Sequence, residues 1–254
     1  MPFDALIGWI LAVLLIGLRV APAFALAPPF TLAGLPVMLR VAMGLALSAC
    51  IVAGRPEAAA VTDFTAGHLV EAAARELFLG LVFVMVLHLA FGALYFAGRA
   101  LDIQAGFGLA TLVDPASQNN VPLIGTLFVY AFAAVFFALN GHGEVLRIAA
   151  ASLDAVPIGQ GAPPASLARL TAFTGTVFAL GMGLAGAAIL CLFLADLVIG
   201  FLTRTAPQLN AMVLGFQVKT ILVLMVLPVT FAVAGSMMAR LARVTLEALP
   251  GLLT

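Results

Sequence analysis

Long runs of apolar residues, separated by short polar or proline-containing stretches, dominate the pattern along this chain. A helix needs about 20 apolar residues to cross a hydrocarbon core about 30 Å thick. Runs near or above that length occur six times, and no alternating apolar and polar pattern competes with them. Because lipid offers no partners for backbone polar groups, the pattern predicts an all-α protein with about six membrane-type helices. These runs cover residues 5–27, 35–53, 77–98, 123–139, 170–202 and 220–239.

Two of the breaks between these runs differ from ordinary loops. Residues 99–122 and 204–219 are long, only mildly polar, and contain most of the Asn and Gln residues of the chain. Irregular backbone at membrane depth is tolerated where protein buries it or where it lines a cavity. We therefore expect both segments to lie in such a setting. The pair Pro28-Pro29, by contrast, predicts a tight hairpin between the first two helices.

The composition supports a membrane protein and argues against binding by bulk charge. Of the 254 residues, 64% are hydrophobic and 9% are charged, whereas a soluble domain carries about 25% charged residues. Such a chain cannot cover its surface in water, so we expect residues 1–254 to form a single integral-membrane domain. Eleven basic and eleven acidic residues cancel. There is no basic face for nucleic acid, and we expect a lipid membrane rather than nucleic acid as partner.

Charged residues inside the apolar runs are the first candidates for function, since a charge at a bilayer centre costs about 2.5 to 3.5 kcal/mol. Arg19, Arg40 and Asp196 lie within or beside the runs, and Glu76 and Asp102 lie at their edges. These charges could form an ion or proton pathway, or they could pair between helices or face a partner subunit. Asp196 is the only carboxylate in the middle of a run, which favours pairing. Our hypothesis is that Asp196 pairs with Arg19 or Arg40.

The fifth run carries a face of small side chains. Its members recur every fourth residue, which places them on one side of a helix where another helix can approach closely. The partner could belong to the same chain or to another subunit, and the sequence leaves both open. The members are Gly175, Ala179, Gly183, Ala187 and Cys191.

No sequence pattern for catalysis, metal binding or cofactor binding is present. The chain lacks a His-Glu-x-x-His helix, a Gly-x-Ser-x-Gly elbow, a phosphate-binding glycine loop and a Cys-x-x-Cys pair. The three histidines, His68, His88 and His142, lie far apart in sequence. We therefore expect no catalytic, metal or cofactor site, and we expect that the protein is not an enzyme.

Several short motifs together resemble the FliR family, whose members are the T-type export-apparatus subunits of type III secretion. The clearest is Phe-Gly-Leu-Ala-Thr-Leu-Val-Asp-Pro-Ala-Ser-Gln-Asn-Asn-Val-Pro at residues 107–122, followed by Asn140-Gly141-His142. Arg-Val-Ala-Pro at residues 19–22 and Arg-Thr-Ala-Pro-Gln-Leu-Asn at residues 204–210 agree with it. Each motif alone is weak, but their order and spacing extend from Arg19 to about Arg240.

The resemblance implies a structural subunit of an export gate through which unfolded flagellar proteins leave the cytoplasm. In that family the subunit forms a helical pore with FliP and FliQ, joined by FlhB and FlhA. The expected helices are therefore hairpins packed within a multi-subunit complex. The expected location is the bacterial inner membrane at the flagellar basal body, with the core displaced toward the periplasm.

The resemblance further implies that the segment from Gly106 to Pro122 is a plug that closes the pore. Glycines would let the segment move, and apolar side chains would exclude water. A well-packed loop between helices is the alternative. The plug residues implied are Gly106, Phe107, Gly108, Leu109, Leu112, Val113, Asp114, Pro115, Ser117, Asn119, Asn120 and Pro122.

Other functions stay open beside the flagellar one. The same type of subunit serves the injectisome, the related virulence secretion system, so the resemblance fits either host system. A secondary transporter with broken helices would need interrupted helices in corresponding halves of the chain. Only the recurrence of Arg-x-Ala-Pro at Arg19 and Arg204 points that way. An intramembrane enzyme has no residue pattern in its favour.

Overall fold

The computed structural model describes residues 3–57, 65–107, 121–160, 167–206, 208 and 211–253, and every regular element in these ranges is helical. This confirms the predicted all-α class. A short 3-10 helix, Phe30–Ala33, lies between the first two α-helices. The α-helices are α1 Phe3–Leu26, α2 Val37–Gly54, α3 Ala66–Ala105, α4 Leu123–Ala138, α5 Gly141–Ala155, α6 Leu167–Thr205 and α7 Ala211–Leu253.

The number of membrane-length helices agrees with the sequence pattern. Within the described ranges, α1, α2, α3, α6 and α7 are each long and apolar enough to cross a membrane. The helices α4 and α5 together form a bent pair that would make a sixth span. The bend follows Asn140, whose φ of +56° lies in the left-handed region that asparagine tolerates better than most residues.

Three helices are longer than the apolar runs that predict them, and α3 and α7 are about twice as long. The helix α3 has 40 residues, α6 has 39 and α7 has 43. Residues 99–105, assigned to a break between apolar runs, continue α3 as helix, and residues 211–219 likewise belong to α7. The helix α5 was not predicted, because its 15 residues include Glu144, Arg147 and Asp154 and fall short of bilayer length.

The chain divides into two compact units, which we call the first unit and the second unit. The first unit comprises Met1–Ala90, Phe136–Thr174 and Ala242–Thr254. The second comprises Phe91–Val135 and Gly175–Leu241. In the first unit α1 and α2 pack as the hairpin expected at Pro28-Pro29.

Aromatic rings fill the core of the second unit. Phe128 and Phe132 are completely buried. The ring of Phe132 lies 4.6 Å from that of Phe91, and the ring of Phe128 lies 5.4 Å from that of Phe231. Such tilted and edge-on ring pairs stabilise a core beyond the area that they bury.

Two helices leave most of their apolar surface uncovered by the chain. Within the span-length windows, 56% of the residues of α1 and of α3 are buried, against 17% for α2 and for α7. Met38 of α2 is 88% exposed, and Met225 and Val233 of α7 are 70% and 69% exposed. Patches of this kind on a protein mark contact with lipid or with another protein chain.

Candidate functional site

Arg19 of α1 and Glu76 of α3 form an ion pair inside the first unit. Neither side chain has any exposed surface. The guanidinium Nε donates to Glu76 Oε2 at 2.6 Å, and Nη2 donates to Oε1 at 2.9 Å. The planar fork of the arginine thus meets both carboxylate oxygens, which is the strongest geometry available to such a pair.

The remaining polar groups of this pair are bonded as well. Arg19 Nη1 donates to Ser152 Oγ at 3.0 Å, and Nη2 also donates to the carbonyl of Val156 at 3.0 Å. The backbone N–H of Gly159 donates to Glu76 Oε1 at 3.1 Å. A buried ion pair stabilises only when extra hydrogen bonds satisfy its remaining donors and acceptors. We call Arg19, Glu76, Ser152, Val156 and Gly159 the arginine cluster.

The close approach of α1 and α3 beside this cluster depends on Gly80 and Pro22. A Cβ atom on Gly80 would lie 2.4 Å from the carbonyl oxygen of Leu18, so only glycine fits. Pro22 has no N–H with which to bond that carbonyl in the usual helical way. The backbones of α1 and α3 can therefore approach closely beside the buried Arg19–Glu76 pair.

Arg40 has a different role from Arg19. It is half-buried at the start of α2 and donates hydrogen bonds to the backbone carbonyls of Ala25 and Leu35. An arginine that caps unpaired carbonyls near a helix end also interacts favourably with the helix dipole. Arg40 thus closes the hairpin of α1 and α2 without a carboxylate partner among the described residues.

The expected partner of Asp196 was wrong. Asp196 of α6 pairs with Lys219 of α7 in the second unit, and not with Arg19 or Arg40. The pair is only partly shielded, with 19% of the lysine side chain and 41% of the aspartate side chain exposed. The expectation failed because both arginines are engaged elsewhere and because Lys219, assigned to a loop, lies within the helix α7.

Asp102 makes a second enclosed polar contact, in the second unit. It is 4% exposed, and its oxygens accept the backbone N–H groups of Ile124 at 3.1 Å and of Gly125 at 3.2 Å. These donors belong to the first turn of α4, where helical N–H groups have no partner within the helix. Asp102 therefore caps α4 from the end of α3, and the charge also suits the positive end of the helix dipole.

Most of the segment that the resemblance identifies as the plug lies outside the described residues. This holds for Gly108, Leu109, Leu112, Val113, Asp114, Pro115, Ser117, Asn119 and Asn120. Of the others, Gly106 has a φ of +86° directly after α3, and Phe107 follows it. Pro122 immediately precedes α4 and is buried. The segment follows α3 and precedes α4, and Asp102 links these two helices.

The face of small residues on α6 divides into two parts. Gly175 and Ala179 are exposed, and a Cβ on Gly175 would meet no atom within 4 Å. Gly183, Ala187 and Cys191 line an apolar groove against α7. A close approach of α6 to α3 occurs at Gly181, outside this face, where an added Cβ would lie 2.9 Å from the Ala93 carbonyl oxygen.

Sequence reasoning missed the pairing of Arg19 with Glu76 and Ser152, that of Asp196 with Lys219, and the capping of α4 by Asp102. Ser152 lies 133 residues from Arg19, and Asp102 lies 22 residues from the N–H group that it accepts. No local pattern signals contacts at such separations. Among the residues that the structure describes, no group of three or more His, Cys, Asp or Glu side chains could hold a metal ion.

Comparison with known proteins agrees with the motifs. Residues 10–244 match the family described as bacterial export proteins, family 1. The chain is 26% identical to the flagellar biosynthetic protein FliR of Bacillus subtilis (strain 168), over 95% of this chain and 94% of that protein. It is 32% identical to the FliR protein of Escherichia coli (strain K12), over 66% of this chain and 61% of that protein.

A relative from a secretion system is also similar. The secretion system apparatus protein SsaT of Salmonella typhimurium is 32% identical, over 57% of this chain and 56% of that protein. Because the matched family covers nearly the whole chain, the resemblance to the FliR family is confirmed.

Proposed function

The chain belongs to the bacterial export proteins of family 1, and from this membership we propose that it is a structural subunit of a type III export gate. The pore would form together with FliP-type and FliQ-type subunits, and unfolded flagellar proteins would pass through it. The observation that carries this proposal is the match over residues 10–244, supported by the similarity to a FliR protein along 95% of the chain.

The exposed apolar surface fits a chain that contacts lipid or partner subunits. The helices α2 and α7 leave large apolar side chains such as Met38 and Met225 exposed. In a multi-subunit gate, partner helices from FliP, FliQ, FlhB and FlhA would cover such surfaces. Every nitrogen and oxygen atom of the Arg19 and Glu76 side chains has a hydrogen-bond partner, which supports a structural role of these charges.

We place the subunit in the bacterial inner membrane at the flagellar basal body, with its helical core displaced toward the periplasm. The chain would act as a single integral-membrane domain and would supply structure rather than catalysis. An injectisome is the alternative host system, and the similarity to the SsaT protein supports that reading.

Deleting the gene for this chain tests the proposed function most directly. We expect the deletion strain to stop secreting flagellar hook and filament proteins while their amounts inside the cell persist. Expression of the wild-type chain should restore secretion, and a tagged chain should co-purify with FliP-type and FliQ-type subunits. Normal flagellar secretion in the deletion strain, with loss of a virulence secretion system instead, would move the chain to the injectisome. Undisturbed secretion by both systems would contradict an export role.

We further propose that the segment from Gly106 to Pro122 closes the pore. The proposal rests on the family resemblance and on the Asp102 cap, which ties together the helices that flank the segment. Replacing residues 108–120 with a short Gly-Ser linker should make the assembled gate leak ions, measured as loss of membrane potential in cells. The same linker in place of residues 161–166 is the control. An intact potential in cells whose gate has assembled would contradict the plug.

A further inference from the structure

The helices α6 and α7 form an apolar groove in the second unit. Its volume is about 390 Å³. Thr230 is the one hydroxyl among its lining residues, and its Oγ1 already donates to the carbonyl of Val226 at 3.0 Å. The hydroxyl proton of Thr230 is therefore engaged within the helix, and the rest of the lining is apolar or weakly polar. Its floor and walls include Gly183, Ala187, Cys191, Met225, Val229 and Met237.

The groove is long and narrow. At a rise of 1.5 Å per residue, the 12 steps from Met225 to Met237 correspond to about 18 Å. One leaflet supplies about 15 Å of a hydrocarbon core about 30 Å thick. A helix with its side chains is about 10 Å wide, so it could seat only some of its side chains in the groove, whereas one extended hydrocarbon chain could lie in it along its length. A single extended hydrocarbon chain suits these dimensions better than a helix.

A free cation lies at one end of the groove. The lining residues of α7 include Val226, Thr230, Val233 and Met237, which recur at helical spacing on one face. Arg240 continues this face three residues later, is exposed, and has no hydrogen bond or ion pair within the described part of the chain. Near the other end, beyond Met225, the charge of Lys219 is paired with Asp196.

The apolar groove can hold a hydrocarbon tail, and the unpaired guanidinium of Arg240 can bind an anionic headgroup. Together they are complementary to an anionic amphiphile. Guanidinium groups bind phosphate oxygens in a planar, two-point geometry. We propose that this groove binds one acyl chain of an anionic phospholipid, whose headgroup phosphate contacts Arg240. Such a lipid would fill the seam between α6 and α7 whether or not these helices lie inside the bilayer. The inference does not depend on the proposed pore.

Photo-crosslinking tests the site in the intact export complex that contains the full chain. The probe is phosphatidylglycerol with a diazirine near the end of one acyl chain, and the neutral comparison is phosphatidylcholine with the same tail. Peptide mass spectrometry should locate the label on residues lining the groove. We expect phosphatidylglycerol to label them about fivefold more than phosphatidylcholine, since a basic residue near the membrane surface attracts anionic lipid by about that factor.

Three variants distinguish binding of the acyl chain in the groove from binding of the headgroup at Arg240. Ala187→Phe, which places a ring in the groove floor, should abolish groove labelling by both lipids. Arg240→Ala should keep the labelling but remove the preference for phosphatidylglycerol. Arg204→Ala removes another exposed arginine of the second unit and should change neither result. Equal wild-type labelling by both lipids would overturn the proposal. So would labelling that appears only after partner subunits are stripped away, because a partner helix would then be the occupant.

Discussion

The Arg19–Glu76 pair of the first unit and the Asp196–Lys219 pair of the second unit each join two apolar helices, yet their surroundings differ. The first pair has no exposed side-chain surface and is bonded further to Ser152, to Val156 and to Gly159. The second has 41% of its carboxylate side chain and 19% of its lysine side chain exposed. No further bond to either charge is described within the second unit.

The difference teaches how this chain uses charge within apolar helices. A pair that is enclosed and fully bonded holds its helices in one arrangement, because losing either partner leaves an uncompensated charge. A pair that remains partly open contributes little to stability and can be remade with another partner. We therefore regard the arginine cluster as the rigid part of the first unit. The Asp196–Lys219 pair is a contact of the second unit that can be exchanged for another partner.

The largest expected effect is that of Glu76→Gln. This change leaves the buried guanidinium of Arg19 without its counter-charge, and breaking a buried pair in this way costs about 3 to 5 kcal/mol. We expect the amount of chain in the membrane to fall sharply, measured by immunoblot, and secretion to fall with it. The double variant Arg19→Met with Glu76→Leu should recover part of the loss, because no charge then remains buried. Normal accumulation of Glu76→Gln would show that the pair is dispensable.

Gly80→Ala tests the contact that lets α1 and α3 meet beside the cluster. The added Cβ would lie 2.4 Å from the Leu18 carbonyl oxygen, and overpacking of this kind costs about 1 to 3 kcal/mol. The free energy of unfolding, measured by SDS titration in mixed micelles, should fall accordingly. Gly92→Ala is the matched control in the same helix, since its Cβ would meet no atom within 4 Å. It should be neutral or slightly stabilising. Equal results for both variants would contradict the close approach.

Asp102 is a buried carboxylate in the second unit. Its substitution therefore tests whether the loss of stability depends on the burial of the charge or on the unit in which the charge lies. Asp102→Ala removes the cap of α4 and should cost about 0.5 to 2 kcal/mol of unfolding free energy in the same titration. Asp102→Asn keeps one oxygen acceptor and should cost less. If both variants match the wild type, the two N–H bonds do not stabilise the start of α4.

The smallest expected effect is that of Asp196→Asn. A partly exposed pair contributes about 0 to 1 kcal/mol, and the flexible side chain of Lys219, in the third turn of α7, can extend toward the start of that helix when its partner is neutral. We expect normal accumulation of the chain and a change in unfolding free energy within that range. A loss as large as that of Glu76→Gln would remove the distinction between the two pairs.

The apolar runs were sufficient to predict the helical class and the number of membrane-length helices, since bilayer thickness sets a length that can be counted along the chain. Helix ends were harder. Residues after Gly98 were assigned to a break because the apolar run ends there, but Asp102 turns inward to cap α4, and the helix continues to Ala105. The helix α5 was not predicted because its polar residues interrupt the apolar pattern. Its buried face includes Val145, Ala149 and Leu153.

The candidate charges were recognisable individually, but their partners were not. Arg19 and Glu76 stand out because a charge in an apolar run needs compensation. Their pairing across 57 residues, and that of Asp196 with Lys219, depends on which helices pack together. The motifs of the FliR family supplied what periodicity could not, namely the kind of assembly to which the chain belongs.

Two parallel double-mutant cycles test the contrast between the pairs most directly. One cycle uses Arg19→Met and Glu76→Leu, the other Lys219→Met and Asp196→Leu, each read by SDS titration of the purified full chain. The account predicts a coupling energy of about 3 kcal/mol between Arg19 and Glu76, and about 0.5 kcal/mol or less between Asp196 and Lys219. Coupling energies of equal size in the two cycles would contradict it.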